Sequence, residues 1–347
     1  TGVVHIAPAF GEDDAKVGRV YDLPFVQLVD GQGNMTKETP FAGVFVKKAD
    51  PMVLKALEEA GLLFDAPKFE HSYPHCWRCS SPIIYRATEQ WFCSVNGFKD
   101  EAVKAIENVN WIPEWGEDRI KGMVRDRSDW CISRQRTWGV PIPIIYCKDC
   151  GKHIVTDETI KAISELFRKE GADAWWTREV KEFIPESVKC ECGCGEFTKE
   201  YDIMDVWFDS GSSHTGVLVE RGLGYPADLY FEGSDQYRGW FNSSLIIGTA
   251  VHGKAPYKTV LSHGFTLDGK GLKMSKSGGN AVDPIKTINK WGADILRLWA
   301  TTVDFQSDVR ISDDILKKVS ESYRKVRNTM RFLLGNLNDF KDTDVLP

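Results

Sequence analysis

The sequence predicts an α/β fold built on a parallel sheet and accompanied by smaller modules. Between residues 201 and 305, short strand-like runs alternate with helical segments, which is the pattern of a parallel sheet. A long amphipathic segment follows Ser312, and closely spaced cysteines occupy the middle of the chain. The length of 347 residues exceeds the usual size of one core and indicates two or more domains.

The composition is that of a packed globular protein. Hydrophobic residues make up 42% of the chain, too much for general disorder. No apolar run approaches 18 residues and no secretory signal opens the chain, so neither a membrane span nor export is predicted. A formal net charge of -6 argues against a globally basic nucleic-acid binder, but it allows a local basic groove.

The first 200 residues combine short strand-like runs with separate helices. The predicted strands are the apolar runs VVHIAP, FVQLV, GVFV and IIYRA. The predicted helices are one that follows Asp50-Pro51, one around EAVKAIENV and one near 157–170. The chain opens without Met inside the run VVHIAP, so we expect it to be a piece of a longer protein, with sequence missing at both ends.

From residue 201 onward, strands and helices are predicted to alternate. The strand-like runs are DVWFD, DLYFEG and TVLSHGFTL, and the helical segments surround WFNSSLIIGTAV and ADILRLWAT. Ser312 is predicted to cap a final long helix whose first turn holds Asp313 and Asp314, where carboxylates favour the helix dipole. This helix is predicted to end at Gly335.

The segment KGLKMSKSGGN, residues 270–280, concentrates positive charge on a glycine-rich loop. It carries Lys270, Lys273 and Lys276 and no acidic residue. A lysine ammonium is a mobile point charge suited to phosphate, and glycine lets the backbone approach a ligand closely. From these residues alone, the alternative is a solvated hairpin tip.

The string KMSKS within this loop resembles the signature loop of class I aminoacyl-tRNA synthetases. Four segments in order resemble the isoleucyl-tRNA synthetase family of bacterial type: SDWCISRQRTWGVPIP, DIMDVWFDSGSSH, FEGSDQYRGWF and HGFTLDGKGLKMSKS. The resemblance covers essentially the whole chain. It implies a class I Rossmann-like catalytic core, present as its second half, with part of an editing domain, a zinc-binding module and the start of a helical anticodon-binding domain.

The resemblance also implies an activity, partners and domain limits. The expected enzyme is a monomeric, cytoplasmic isoleucine–tRNA ligase that uses ATP with Mg, isoleucine and tRNA(Ile), without membrane association. The expected segments are the editing domain (1–70), the return connection into the core (71–145), the zinc-binding module (146–200), the catalytic half with KMSKS (201–305) and the helical domain (306–347). The family's HIGH motif is absent and is expected upstream of Thr1, so the chain alone is expected to be inactive.

The resemblance assigns roles to residues around the catalytic centre. Lys273 and Lys276 are the expected catalytic residues, and together with Ser275 and His263 they are expected to bind ATP. The residues expected at the aminoacyl-adenylate and in the isoleucine pocket are Glu232, Trp207, Gln236 and Trp240. From the residues alone, both tryptophans are equally well core side chains, and His263 is equally well structural.

A second, hydrolytic site is expected because isoleucine exceeds valine by one methylene. Such a difference supports only ~1–3 kcal/mol of discrimination, and this enzyme family is itself the standard example of that limit. The segment TGVVHIAPAFGEDD resembles the closing strand and loop of the family's editing domain. The resemblance makes Asp14 the acid that holds the ammonium of the misacylated amino acid, and it places His5 at the base of that pocket.

The paired cysteines predict a metal site before a disulfide. Cys147 and Cys150 form a CxxC pair, and a cluster of three cysteines begins at Cys190; four thiolates suit tetrahedral, structural zinc. By family spacing, Cys190 and Cys192 complete the site, with Cys194 as the alternate. A second possible metal pair is Cys76 and Cys79, which His71 and His75 could complete by spacing.

Other interpretations stay open at this point. Four arginines in VRDRSDWCISRQRTWG, namely Arg125, Arg127, Arg134 and Arg136, suit tRNA phosphates, unless Asp126 and Asp129 neutralise them in ion pairs. The alternative functions are a valyl or leucyl enzyme, or a non-catalytic zinc- and tRNA-binding paralogue that has lost ligation.

Overall fold

The computed structural model describes residues 2–76, 79–275 and 279–341. It divides into two compact units, Thr1–Gln90 and Trp91–Pro347. Within the described ranges, no helix combines the length and the apolar character needed to cross a membrane.

The described residues of the first unit form two helices, α1 (Glu12–Val20) and α2 (Val46–Glu59). The predicted helix after Pro51 is confirmed as α2 but begins earlier, at Val46, so Pro51 lies inside the helix, where it lacks the N–H for one backbone hydrogen bond. The strand predictions for VVHIAP, FVQLV, GVFV and IIYRA are wrong. Over residues 2–76 and 79–90, these segments form at most single bridges, such as Val29 with Met35, and a strand needs a continuous partner.

The second unit mixes helices and strands throughout. Its helices are α3 (Lys99–Ile106), α4 (Trp115–Arg125), α5 (Asp157–Glu170), α6 (Ala174–Thr177), α7 (Val206–Gly211), α8 (Trp240–His252), α9 (Pro284–Trp291), α10 (Ala293–Thr302) and α11 (Asp313–Asn336). Its strands are β1 (Phe92–Cys93), β2 (Asn110–Ile112), β3 (Trp130–Cys131), β4 (Ser133–Arg134), β5 (Ile145–Cys147), β6 (His153–Ile154), β7 (Phe197–Lys199), β8 (Ile203–Met204), β9 (Ala227–Gly233), β10 (Tyr257–His263), β11 (Thr266–Leu267) and β12 (Val309–Arg310).

A three-stranded parallel sheet with the order β2-β10-β9 forms the centre of this unit, which confirms the predicted parallel sheet. Its buried face packs against α8, whose residues from Phe241 to Thr249 are all buried. The shared core includes Trp111, Tyr237 and Tyr257. The carboxyl ends of β9 and β10 lie side by side, since Ser262 pairs with Glu232.

The run DVWFD is a helix, α7, and the strand prediction for it is wrong. Asp205 caps this helix by accepting a hydrogen bond from the backbone N–H of Trp207 at 3.3 Å. Phe208 on the first turn packs 5.7 Å from the ring of Trp130. The cap and the distant aromatic partner override the strand-like pattern of the run.

Two further modules have cores of their own. An antiparallel sheet with the order β6-β5-β7 packs with α5 and α6 around Ile145, Ile163 and Trp175. The last module joins β11 and β12 in parallel, and its core holds Trp299 and Leu316. The predicted cap at Ser312 is confirmed, and α11 ends at Asn336, one residue beyond the prediction.

Candidate functional site

Glu232 and His263 stand on adjacent parallel strands at the carboxyl edge of the central sheet. Open α/β sheets bind ligands at this edge. Glu232 is exposed, and His263 is half-buried with its ring 5.3 Å from that of Phe231. Nδ1 of His263 lies 2.7 Å from the carbonyl oxygen of Gly264 and donates a hydrogen bond to it, which fixes the orientation of the ring.

Gly264 fixes the end of β10 by a close backbone approach. A Cβ at this position would lie 2.2 Å from the backbone of Ser307. The N–H of Gly264 donates to the carbonyl of Phe305 at 2.9 Å, and the N–H of Phe265 donates to the carboxylate of Asp308 at 2.7 Å. The edge that carries His263 is therefore tied to the segment that leads into β12.

Trp207, Gln236 and Trp240 converge around Gly239. A Cβ on Gly239 would lie 2.5 Å from Oε1 of Gln236 and 2.7 Å from Cη2 of Trp207. Oε1 of Gln236 accepts a hydrogen bond from the backbone N–H of Trp240 at 2.9 Å. Trp207 is 40% exposed and presents a rigid apolar surface. The side chains of Trp207 and Gln236 and the backbone of Trp240, which come from two predicted motifs, therefore meet at Gly239.

Trp240 is held more firmly than Trp207. Its indole stacks on Tyr230 with ring centroids 4.0 Å apart. Its Nε1 donates to the carbonyl of Ser210 at 2.9 Å and to the hydroxyl of Ser213 at 3.2 Å. One face of the Trp240 indole therefore packs as a core side chain, as the alternative interpretation predicted. The Trp207 indole is the more exposed of the two.

Sequence reasoning missed the buried Asp205, which supports this neighbourhood from behind. Asp205 is 5% exposed, and its Oδ2 accepts hydrogen bonds from Nε1 of Trp130 and from the guanidinium of Arg134, both at 2.9 Å. Because Asp205 also caps α7, it fixes the helix that carries Trp207. An aspartate directly before an apolar helix start is the signal that could have identified it.

Two of the four arginines in VRDRSDWCISRQRTWG, Arg127 and Arg134, make contacts with buried side chains. Arg127 donates to the buried Asn242 at 2.6 Å, and its guanidinium lies 4.9 Å from the ring of Trp130. Burial lowers the pKa of Arg127. Arg127 and Arg134 therefore turn inward, and neither of the predicted partners, Asp126 and Asp129, provides the inward contacts described here.

The lysine-glycine loop is anchored to the rest of the protein at Lys273 and Met274. Leu267 bridges to Lys273, and the Met274 side chain packs against the core of the last module. Sδ of Met274 also accepts a hydrogen bond from the N–H of Val282 at 3.4 Å. Lys273 and Ser275 are thus carried on a fixed base, whereas Lys276 lies outside the described residues.

Four thiols gather in the cysteine module. The sulfurs of Cys147, Cys150, Cys190 and Cys192 all lie within 4.8 Å of one another. Sγ of Cys147 is 3.6 Å from that of Cys192, and Sγ of Cys150 is 3.4 Å from that of Cys190. Tetrahedral zinc with Zn–S bonds of about 2.3 Å separates its sulfurs by about 3.8 Å, so this donor set could hold a metal ion of that kind.

Each cysteine pair sits on a turn closed by a glycine with positive φ. Gly151 has φ +71 and donates to the carbonyl of Cys147, while Gly193 has φ +88 and donates to the carbonyl of Cys190. A hydrogen bond from the backbone N–H of Cys150 is the main cause that lowers the pKa of Cys147 to about 6. The first turn therefore favours the thiolate of Cys147, which is the form in which a cysteine binds a metal ion.

Among the described residues, Cys194, Cys76 and Cys79 do not belong to the group of four thiols. The sulfur of Cys194 accepts from the N–H of Glu196 at 3.3 Å and is not among the gathered four. Cys76 donates its backbone N–H to the carbonyl of Ser81 at 2.8 Å, and residues 77 and 78, which separate it from Cys79 in the sequence, lie outside the described residues. In the described part of the chain, no imidazole or carboxylate gathers with this pair into a group of three.

Within the first unit, Asp14 and His5 occupy separate elements. Asp14 lies in the first turn of α1, and its carboxylate would be 2.7 Å from a Cβ on Gly11. His5 is exposed in the extended segment that precedes α1. Both side chains stay accessible enough to meet a ligand.

A buried histidine cluster was not predicted. His214 is 1% exposed, and its ring lies 5.5 Å from those of Tyr225 and His252. Thr215 Oγ1 lies 3.1 Å from Nδ1 of His214. Burial, followed by the nearby His252, lowers the pKa of His214 to about 4, so this ring is neutral in the folded protein at neutral pH.

Comparisons with known proteins agree with the motifs. The family model for tRNA synthetases class I (I, L, M and V) matches residues 15–312. The isoleucine–tRNA ligase of Brevibacillus brevis is 59% identical over 342 residues, which cover 98% of this chain and 37% of that protein. The isoleucine–tRNA ligase of Caldicellulosiruptor bescii is 58% identical over 343 residues, with coverage of 98% and 37%. The isoleucine–tRNA ligase of Caldanaerobacter subterraneus is 57% identical over 350 residues, with coverage of 100% and 38%. The chain thus spans little more than a third of the length of these relatives.

Proposed function

The chain belongs to the class I tRNA synthetases of the isoleucine, leucine, methionine and valine group, and from that premise we propose that its gene product is an isoleucine–tRNA ligase. The observation that carries the proposal is the 57–59% identity, over nearly all of this chain, to proteins named isoleucine–tRNA ligase. The proposed partners are ATP, isoleucine and tRNA(Ile). The proposed domain limits are those expected from the family resemblance.

In the proposed first step, the carboxylate of isoleucine attacks the α-phosphate of ATP, and pyrophosphate leaves. Lys273 stabilises the negative charge that develops on the departing group, with Lys276 as its partner beyond the described residues. His263 and Ser275 contact the nucleotide. Magnesium bound with ATP neutralises part of the phosphate charge.

The amino acid is held beside this edge of the sheet. Trp207, Gln236 and Trp240 provide the pocket for the branched side chain, and Glu232 contacts the adenylate. The convergence around Gly239 and the exposed indole of Trp207 support this assignment. A rigid apolar wall suits a side chain that offers only shape and dry surface for recognition.

In the proposed editing step, Asp14 holds the ammonium group of valine esterified to tRNA, and His5 lines the base of that pocket. The side chain of Asp14 is only half-buried, which supports a role in binding an ammonium group at an accessible carboxylate. Replacing Asp14 with Ala in the complete gene product should let valyl-tRNA accumulate. Unchanged deacylation by that variant would remove the assignment.

The four gathered thiols are proposed to hold one structural zinc ion. The two glycine turns and the sulfur separations support this choice of metal. Two ion pairs also join the cysteine turns, Lys152 with Glu191 at 2.6 Å and Lys148 with Glu196 at 3.1 Å. The cysteine module is therefore proposed to be a scaffold rather than a reaction centre.

The nucleotide step is tested by amino-acid-dependent exchange of pyrophosphate into ATP, measured with the complete gene product. Isoleucine should drive the exchange far better than leucine, valine or methionine. Lys273→Ala should lower the exchange rate, while Lys258→Ala, an exposed lysine paired with Asp228, serves as the matched control. Exchange driven by another amino acid would indicate a different member of the family, and no exchange would favour the non-catalytic paralogue.

A further inference from the structure

The first part of the lysine-glycine loop, before Lys273, is held in shape by the carboxylate of Asp268. Asp268 follows β11 directly, and its Oδ1 accepts hydrogen bonds from the backbone N–H groups of Lys270 at 2.9 Å and Leu272 at 2.8 Å. Gly271 completes this turn with φ +81. The turn leads straight into Lys273, so the carboxylate fixes the approach to the first lysine of the KMSKS string.

After the lysines, the side-chain amide of Asn280 connects the two ends of the loop by hydrogen bonds. Nδ2 of Asn280 donates to Oδ2 of Asp268 at 2.9 Å and to the carbonyl of Lys273 at 3.1 Å. Oδ1 of Asn280 accepts from the N–H of Ser275 at 3.0 Å. Gly279, with φ +67, permits the turn that brings this amide into place. Asn280 thus binds the backbone on each side of Met274.

The pair Asp268 and Asn280, called the clasp below, works together with the anchor at Met274. The Met274 side chain packs into the core of the last module, while the clasp holds the backbone of its two neighbours. The hydrogen bond from Asn280 is the main cause that lowers the pKa of Asp268, which keeps the carboxylate an acceptor at neutral pH. Neither member of the clasp carries a charge that would itself attract phosphate.

We propose that Asp268 and Asn280 are positioning residues for the nucleotide step: they fix the backbone of Lys273 and Ser275 in the geometry that stabilises departing pyrophosphate. This inference rests on the proposed function. Because the clasp orders the loop before the reaction begins, the cost in entropy of ordering the loop is not part of the activation barrier. The clasp therefore acts on the rate of the chemical step. The binding of isoleucine at the sheet edge should be unaffected.

The direct test is pyrophosphate exchange by the complete gene product and its Asn280→Ala variant. The variant should lower kcat by about 10- to 100-fold, the range for losing a hydrogen bond to a charged group, while KM for isoleucine stays within about twofold. Asn108→Ala is the matched control, because Asn108 also donates from its side chain to a backbone carbonyl, that of Lys104 at 3.0 Å. An unchanged kcat in Asn280→Ala would overturn the positioning role.

A swap of the two side chains separates positioning from general loss of structure. Asn280→Asp alone places two carboxylates against each other and should be the poorest variant. Combining it with Asp268→Asn restores one donor facing one acceptor, so kcat should recover part of the loss. A double variant no better than Asn280→Asp would contradict the clasp.

Hydrogen exchange gives a readout that does not depend on catalysis. In Asn280→Ala, the amide of Ser275 should exchange at least about tenfold faster, while the amides of Lys270 and Leu272 keep the protection given by Asp268. Uniform loss of protection across the loop would instead indicate unfolding and overturn the specific clasp. A parent protein that exchanges no pyrophosphate would refute the proposed function itself, and the catalytic role of the clasp with it.

Discussion

Replacing Asp205 with Ala should be among the most destabilising single changes in the second unit. The substitution leaves Nε1 of the buried Trp130 without its acceptor, which costs about 1–3 kcal/mol. Losing the cap of α7 costs about 1 kcal/mol more. Arg134 is 40% exposed on its side chain and can rehydrate, so its ion pair adds at most about 1 kcal/mol. The expected total is about 3 kcal/mol.

Urea denaturation followed by tryptophan fluorescence measures this loss. Asp205→Asn keeps one acceptor oxygen and should lose about half as much stability as Asp205→Ala. Asp228→Ala is the matched control, because its carboxylate also pairs with a cationic side chain, that of Lys258, but is 91% exposed. The control should leave the urea midpoint unchanged. If Asp205→Ala were no less stable than the control, the reasoning about this buried network would be refuted.

Three further predictions concern the thiol cluster, the apolar neighbourhood and the histidine cluster. The purified chain should bind about one equivalent of zinc, and Cys192→Ser should lose it while Cys194→Ser retains it, as metal analysis after dialysis would show. Gly239→Ala places a methyl group against the Trp207 indole and should raise KM for isoleucine at least about tenfold in the complete gene product with KM for ATP unchanged; an unchanged KM for isoleucine would argue against the pocket. Because the folded-state pKa of His214 is lowered to about 4 from 6.5, the unfolded chain binds the extra proton first, so stability is full above pH 6.5 and falls by about 2–3 kcal/mol as pH drops from 6.5 to 4. His214→Gln should flatten this slope in urea titrations and the exposed His71→Gln should not, and equal slopes in both variants would contradict the assignment.

Sequence patterns predicted the elements whose cause is local. The helix at α5 and the cap of α11 at Ser312 follow from residues within one turn, and the structure confirms both. The alternation that predicts a parallel sheet is also local, because each strand and each helix shows its own apolar period. The short CxxC spacing likewise specifies a turn, and the structure brings its two thiols together with Cys190 and Cys192.

What could not be predicted depends on partners far apart in the chain. The run DVWFD becomes a helix because Asp205 caps it and Trp130, 75 residues away from Asp205, donates to that same carboxylate. The inward turn of Arg127 depends on Asn242, 115 residues away. His214 shows no sequence signal of its own, since only the packing of α8 and its neighbours buries the ring. The periodicity of apolar residues is a local pattern and contains no information about such distant contacts.

The most direct test of the central claim is the charging of tRNA(Ile) by the complete gene product, with labelled isoleucine or valine and with ATP and magnesium present. We predict stable isoleucyl-tRNA from the parent protein, with no lasting valyl product. Failure to charge tRNA(Ile) with isoleucine, or preferential charging of another tRNA with leucine or valine, would contradict the assignment of this chain to an isoleucine–tRNA ligase.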